Sequence, residues 1–164
     1  MTTQTVKQII CAVHGGPESR ETAIRAISLA LESGGRLTFF HVMDAEFLGY
    51  ATVGTLRVVY HELEEMGKFV MLILCDRARA RGVAQVDYIL REGDVRKQLR
   101  QLAMETGAEV MVMGRPTRSP TSNVFKIGDF DTFVANLERE ANLRIVQVTP
   151  APIKTRDLQS GLVF

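Results

Sequence analysis

The chain has 164 residues, the length of about one domain, with 46% hydrophobic and 24% charged residues, a balance typical of globular proteins. Its formal net charge of +1 excludes a global field that would recruit nucleic acid or a membrane surface. Its longest apolar run, "FVMLIL" at 69–74, is far too short to span a membrane.

The cysteine pattern and the N-terminus indicate an intracellular protein. Cys11 and Cys75 both lie in apolar runs without Cys-x-x-Cys spacing, so we expect buried thiols, with neither a disulfide nor a metal site. Free thiols favour a reducing compartment, and we expect a cytoplasmic location. The start, "MTTQTVKQII", lacks a basic segment followed by a long apolar core, so we expect no signal peptide.

The first half of the chain alternates predicted strands with predicted helices. The apolar run 7–13 predicts a buried strand, and "HGGPES" predicts a turn with Ser19 as the helix cap. The helix runs to about Ser33, and a second strand covers 36–42. A long connection leads to a helix from about Leu56 to Arg81, and we interpret its "MLILC" stretch as core filling. We expect the following residues to face the core: Ala23, Ile27, Ala30 and Leu31 of the first helix, and Leu63, Met66, Val70, Ile73 and Leu74 of the second.

The second half continues the alternation. Residues 84–90 predict a third strand with the alternation of a sheet edge. Asp94 is suited to cap the next helix, which ends at Gly107, and a fourth strand follows at 109–113. After a long polar loop, a helix begins at Asp129 and ends at Asn142. The fifth strand is predicted at 143–149.

This order predicts a doubly wound α/β fold: an open five-stranded parallel sheet, strand order 3-2-1-4-5, with helices on both faces. We assign residues 1–150 to this domain and 151–164 to a tail that is frayed or packed on a partner. Ligands of such sheets bind beyond the carboxyl ends of the strands, where the strand order reverses. The loops after the first and fourth strands are therefore the candidate functional segments.

Several pieces of the sequence, in order, resemble the universal stress protein (UspA-like) family. They are "IICAVHGGPESRETAIRAISLA", "LTFFHVMD" and, most specifically, "LREGDVRKQLRQLAMETGAEVMVMG". The resemblance implies a homodimer of doubly wound domains in which the fifth strands meet. It also implies that ATP-binding members carry Gly-x-x-Gly, nine residues, then Gly followed by Ser or Thr, with an Asp just after the first strand.

This chain departs from the ATP-binding pattern at most of these points. Gly114 matches the first glycine, but Thr117 replaces the second. Ten residues separate Thr117 from Gly128, Asp129 replaces the Ser or Thr, and His14 replaces the Asp after the first strand.

Two interpretations of these changes remain open. In the first, the site is disabled, because a carboxylate of Asp129 at the helix N-cap accepts the N–H bonds that a phosphate would take and adds negative charge. Asp131 adds to this repulsion, and Arg115, Arg118 and Lys126 pair with the aspartates.

In the second interpretation, an altered loop still binds ATP or AMP. Gly114 and the N–H groups near Gly128 meet the phosphates, and Arg115 and Arg118 counter their charge. The apolar residues Val13 and Val42 face the base, and His14 contacts the ligand differently from an aspartate.

We expect a regulatory or binding dimer without catalytic activity and without a resident cofactor, acting through an unidentified protein partner or a small ligand. A remote alternative is an ATP-using enzyme, because "HGGPES" has a distant similarity to the Ser-Gly-Gly-x-Asp-Ser loop of ATP pyrophosphatases. His41 and His61 are interpreted as structural and solvated residues, and no histidine pair has metal-ligand spacing.

Overall fold

The structure is a computed structural model that describes residues 7–14, 19–43, 53–116 and 128–149. Within these ranges the strands are β1 Gln8–Ala12, β2 Arg36–Met43, β3 Val86–Glu92, β4 Val110–Gly114 and β5 Arg144–Val148. The helices are α1 Ser19–Ser33, α2 Val53–Ala80, α3 Val95–Thr106 and α4 Asp129–Ala141. The predicted alternation of strands and helices is confirmed.

The strands form one parallel sheet in the order β3-β2-β1-β4-β5, as predicted. Central β1 pairs with β2 on one side and with β4 on the other, so that Ala12 lies opposite Phe40 and Met113. Ile9 and Ile10 are fully buried although they point to opposite faces, because helices cover both faces of the sheet.

Two apolar clusters fill the space between the sheet and its helices. One cluster joins α1 and α2 to the sheet face that carries Ile9 and Phe39. The other joins α3 and α4 to the opposite face, which carries Ile10 and Phe40. Cys11 and Cys75 are both free and belong to the first cluster. Burial raises the pKa of both thiols, that of Cys75 to about 11.

The helix ends on either side of the fourth strand follow the local sequence. Asp94 caps α3 by accepting a hydrogen bond from the backbone N of Lys97 at 2.8 Å. Gly107 and Asn142 end α3 and α4 in the left-handed conformation. All three predicted roles are confirmed.

The predicted inner face of α2 is partly wrong. Leu74 is buried as expected, but Met66 is 65% exposed and points away from the sheet. Leu72, within the stretch interpreted as core filling, is also exposed, as is Leu31 of α1. Apolar residues occupy more than one side of α2, so their periodicity alone does not identify the side that meets the sheet.

Candidate functional site

The strand order reverses between β1 and β4, and the carboxyl ends of these two strands lie side by side. Connections from β1 and β2 place α1 and α2 on one face of the sheet, whereas α3 and α4 cover the other face. In this architecture the reversal opens a crevice at the carboxyl edge of the sheet. His14 follows β1 and Gly114 ends β4, so the fold brings these two predicted site residues to the same edge.

Hydrogen bonds fix the end of β1. The backbone N of Val13 donates to the carbonyl of Phe40 at 2.9 Å, and the backbone N of His14 donates to Oγ of Ser19 at 2.9 Å. Ser19, predicted as a helix cap, is the first residue of α1, and its hydroxyl links the start of α1 to the end of β1. The side chain of His14 is exposed at this edge.

His41 has the structural role expected of it. Its Nδ1 lies 2.9 Å from the carbonyl oxygen of Val13. Because a carbonyl oxygen only accepts, Nδ1 must carry the proton and donate it. The ring therefore ties β2 to the end of β1.

Val13 and Val42 do not converge on one ligand position. Val13 belongs to the cluster under α1 and α2, and Val42 belongs to the cluster under α3 and α4. Both side chains are largely buried in these separate clusters. Alternation along parallel strands explains the separation, because neighbouring strand positions direct their side chains to opposite faces. The expectation that both residues face one base is not met.

Packing leaves little room for a side chain at Gly114. A Cβ atom at this residue would lie 3.0 Å from Oγ1 of Thr22, a buried residue of α1. The close approach of α1 to the end of β4 therefore gives this glycine a packing role that does not involve a phosphate. Sequence reasoning did not identify Thr22, because a hydroxyl residue on the buried side of a helix is too common to indicate a contact with a particular glycine.

The start of α4 differs from the predicted cap. Gly128 occupies the N-cap position with φ of 104°, a left-handed conformation that favours glycine. Asp129 is the first helical residue, and its carboxylate lies 3.6 Å from Nη2 of Arg96 on α3. The prediction that Asp129 caps α4 is therefore wrong, because a cation from the neighbouring helix holds its carboxylate.

The side chain of Arg115 has three partners among the described residues. Its Nη1 donates to Oε1 of Gln147 on β5 at 2.7 Å, and its Nη2 lies 3.4 Å from Oδ1 of Asp131 on α4. Its guanidinium also lies 6.0 Å from the ring centroid of Phe130. Its backbone N donates to the carbonyl of Val148 at 2.8 Å. Arg115 therefore matches the first sequence interpretation, in which the loop cations pair with the aspartates.

Sequence reasoning missed Arg96 and Gln147 as neighbours of the site. Both come from elements far along the chain. Arg96 lies within the stretch that carries the family resemblance, but nothing there marks it as a partner of Asp129, and Gln147 lies in no motif. Thr117, Arg118 and Lys126, as well as residues 44–52 and the tail 150–164, lie outside the described residues. Within the described ranges, no group of three or more His, Cys, Asp or Glu side chains is placed to hold a metal ion. In the same ranges, no helix has the length and apolar character needed to cross a membrane.

Comparison with known proteins identifies the family. The sequence model of the universal stress protein family matches residues 5–152, which is most of the chain. No curated protein sequence matches the chain significantly. The chain therefore belongs to the universal stress protein family.

Solved structures of this family share the fold. A universal stress protein family member from Burkholderia pseudomallei is 24% identical with a TM-score of 0.65, covering 90% of this chain and 98% of its own. A universal stress protein from Lactobacillus plantarum is 15% identical with a TM-score of 0.72, covering 89% and 99%. An AMP-bound family member from Arabidopsis thaliana is 14% identical with a TM-score of 0.56, covering 88% and 92%. At these identities the similarity establishes the fold alone.

Proposed function

We propose that this chain is a non-enzymatic binding module of the universal stress protein family. In this proposal the carboxyl edge of the sheet between β1 and β4 is not competent to hold ATP. One observation carries the proposal: each aspartate in the first turn of α4 has an arginine partner. Asp131 lies beside Arg115, and Asp129 lies beside Arg96. The described residues at this edge therefore have matched charges, with no surplus of positive charge for a triphosphate.

The energetics favour this assignment. A phosphate at the start of α4 would lie near two carboxylates, and each repulsion at 4 Å costs about 1 kcal/mol in water and about 4 kcal/mol at an effective dielectric constant of 20. Asp129 and Asp131 are both more than half exposed, so the lower value applies to each. Arg115 already shares its charge with Asp131, which lowers its attraction for a phosphate.

A second candidate function is binding of an adenine nucleotide with a single phosphate. Its support is the exposure of His14 and Gly114 side by side where the strand order reverses. Among the structural neighbours, one universal stress protein is in complex with cAMP and one family member has AMP bound. A single phosphate brings less negative charge to the start of α4 than a triphosphate does.

The active form in this proposal is a cytoplasmic homodimer joined through β5. Among the described strands β5 pairs with β4 alone and so presents an edge of the sheet. Val146 and Val148 on that strand are only partly buried. The free, buried Cys11 and Cys75 are consistent with a reducing compartment. Such a dimer would regulate a process through a partner protein, and the choice of that partner is separate from the assembly of the dimer.

Calorimetric titration tests the proposed function. We expect no binding when Mg-ATP is titrated into the wild-type protein, whereas one-to-one binding tighter than roughly 10 μM would contradict the proposal. Binding of AMP or cAMP alone would favour the second candidate.

A pair of matched variants tests the electrostatic reasoning. Asp131→Asn removes one carboxylate beside the candidate phosphate position, and we expect it to strengthen any weak binding of a phosphate ligand about fivefold, which corresponds to about 1 kcal/mol. Asp76→Asn removes an exposed ion pair, with Arg79 of α2, and should leave binding unchanged. Equal effects of the two substitutions would refute the role of Asp131.

A further inference from the structure

The backbone groups of β5 point alternately toward β4 and toward the outer edge of the sheet. The backbone N of Arg144 donates to the carbonyl of Glu109, directly before β4, at 2.9 Å. The carbonyl of Val148 accepts from the backbone N of Arg115, directly after β4, at 2.8 Å. In a strand the N–H and C=O groups of one residue point to one side, and those of the next residue point to the other. The residues at positions 144, 146 and 148 therefore bond to β4, and those at 145 and 147 direct their backbone groups outward.

One of these outward donors is occupied by a side chain of the same chain. The backbone N of Ile145 donates to Oε1 of Glu138 on α4 at 2.8 Å. The contact is partly buried, and its acceptor comes from the helix that directly precedes β5. A hydrogen bond to a carboxylate is stronger than one between two neutral groups. Glu138 therefore caps the edge of β5 as well as belonging to α4.

This cap lies where a further strand would bond. An uncovered edge strand is a template for a strand of another chain, and folded proteins often protect such edges with charged side chains. A strand that pairs with β5 places a backbone carbonyl against the N–H of Ile145. The carboxylate of Glu138 and the incoming carbonyl are both acceptors, so they compete for the same hydrogen.

We propose that Glu138 is an autoinhibitory contact that opposes pairing of β5 with β5 of a second copy of this chain. This inference rests on the homodimer of the proposed function and names the residue that limits its strength. In the antiparallel register centred on Val146, Ile145 lies opposite Gln147 of the second copy, and each such pair exchanges two backbone hydrogen bonds. Two of the four bonds use the N–H of an Ile145. Both Glu138 carboxylates must therefore leave before the pairing is complete.

The contact acts in opposite directions on the single chain and on the dimer. In the single chain Glu138 satisfies a backbone donor and stabilises the connection between α4 and β5. In the dimer a carbonyl of the second strand satisfies the same donor, and the contribution of Glu138 is lost. Removal of the carboxylate should therefore destabilise the single chain and strengthen the dimer, whereas a residue with only a structural role would not strengthen the dimer.

Sedimentation velocity over a concentration series of roughly 0.1 to 100 μM measures the dimer dissociation constant. We expect Glu138→Ala to lower this constant at least about tenfold, because two such contacts are lost per dimer. Glu138→Gln keeps an acceptor oxygen without the charge, so it should lower the constant less than Glu138→Ala does. Equal effects of the two substitutions would mean that charge repulsion limits the dimer, which would overturn the inference.

Glu140→Ala is the matched control on the same helix. It also removes one carboxylate from α4, but that carboxylate lies 2.9 Å from Nε of Arg100 on α3. We expect the dimer dissociation constant to stay at the wild-type value. Circular dichroism melts establish that each variant is folded.

A second substitution tests whether the strengthened contact uses β5. Gln147→Pro removes an outward backbone donor and leaves the bonds to β4, because proline is tolerated where its nitrogen faces away from the neighbouring strand. Combined with Glu138→Ala, it should return the chain to weak association. A double variant that dimerises as tightly as Glu138→Ala would place the contact elsewhere and overturn the inference.

Amide exchange of Ile145, followed by NMR at a concentration where the chain is monomeric, tests the contact itself. We expect Glu138→Ala to accelerate this exchange at least about tenfold, and an unchanged rate would overturn the inference. A wild-type dimer that Glu138→Ala does not strengthen would overturn the inference and leave the proposed homodimer in place. A chain that stays monomeric in both forms would overturn both. A wild-type monomer that dimerises only as Glu138→Ala would support the inference and contradict the wild-type homodimer.

Discussion

Met71 is the residue whose truncation most directly tests how α2 is held on the sheet. Its side chain is fully buried in the cluster that includes Phe39 and Leu37. Truncation of a buried methionine to alanine costs about 2–5 kcal/mol, because transfer free energy is lost and a cavity remains. The higher helix propensity of alanine returns only a few tenths of a kcal/mol. We therefore expect Met71→Ala to lower the free energy of unfolding by about 3 kcal/mol, or the melting midpoint by roughly 6–12 °C.

Met104→Ala is the matched control, because Met104 is also helical but 59% exposed. We expect it to lower the free energy of unfolding by less than about 1 kcal/mol. Urea denaturation followed by circular dichroism measures both variants, and an unchanged m-value establishes that the comparison concerns the folded state. Equal losses in the two variants would refute the packing of α2 described above.

Two further predictions concern thiol reactivity and helix capping. Cys11 and Cys75 are buried, and raising the thiol pKa of Cys75 from 9.0 to about 11 lowers its thiolate fraction at pH 8 about a hundredfold. A colorimetric disulfide reagent should therefore react with both thiols in urea, and should react with neither thiol of the native protein on the same timescale. A native thiol that reacts fast would contradict their burial. Asp94→Ala removes the hydrogen bond from Lys97 and should lower the free energy of unfolding by about 1 kcal/mol; Asp94→Asn, which retains an acceptor, should restore most of this loss in the same urea experiment.

The features predicted correctly from the sequence depend on local chemistry. Asp94 accepts from a backbone group three residues away, and Asn142 ends α4 where the apolar pattern stops. The parallel sheet with helices on both faces follows from buried apolar segments alternating with amphipathic helices. Such interactions can be recognised within a short window of sequence.

The features that the sequence did not predict depend on contacts between distant segments. Asp129 lies beside Arg96, and Arg115 donates to Gln147, although neither pair belongs to a motif. Gly114 matched a phosphate-loop glycine, but its close approach to Thr22 supplies a packing reason for it. A glycine that serves packing and a glycine that serves a ligand look identical in the sequence. Only the atoms that surround each glycine in the structure distinguish them.

The central claim is that the carboxyl edge between β1 and β4 does not hold ATP. A thermal melt of the purified full chain, with and without a large excess of Mg-ATP, tests it most directly. Ligand at 100 times its dissociation constant would add about 2.7 kcal/mol to stability, or roughly 5–10 °C to the melting midpoint of a chain of this size. We expect no shift in the melting midpoint with Mg-ATP. A shift of 5 °C or more, by roughly that arithmetic, would contradict it and establish a competent nucleotide site.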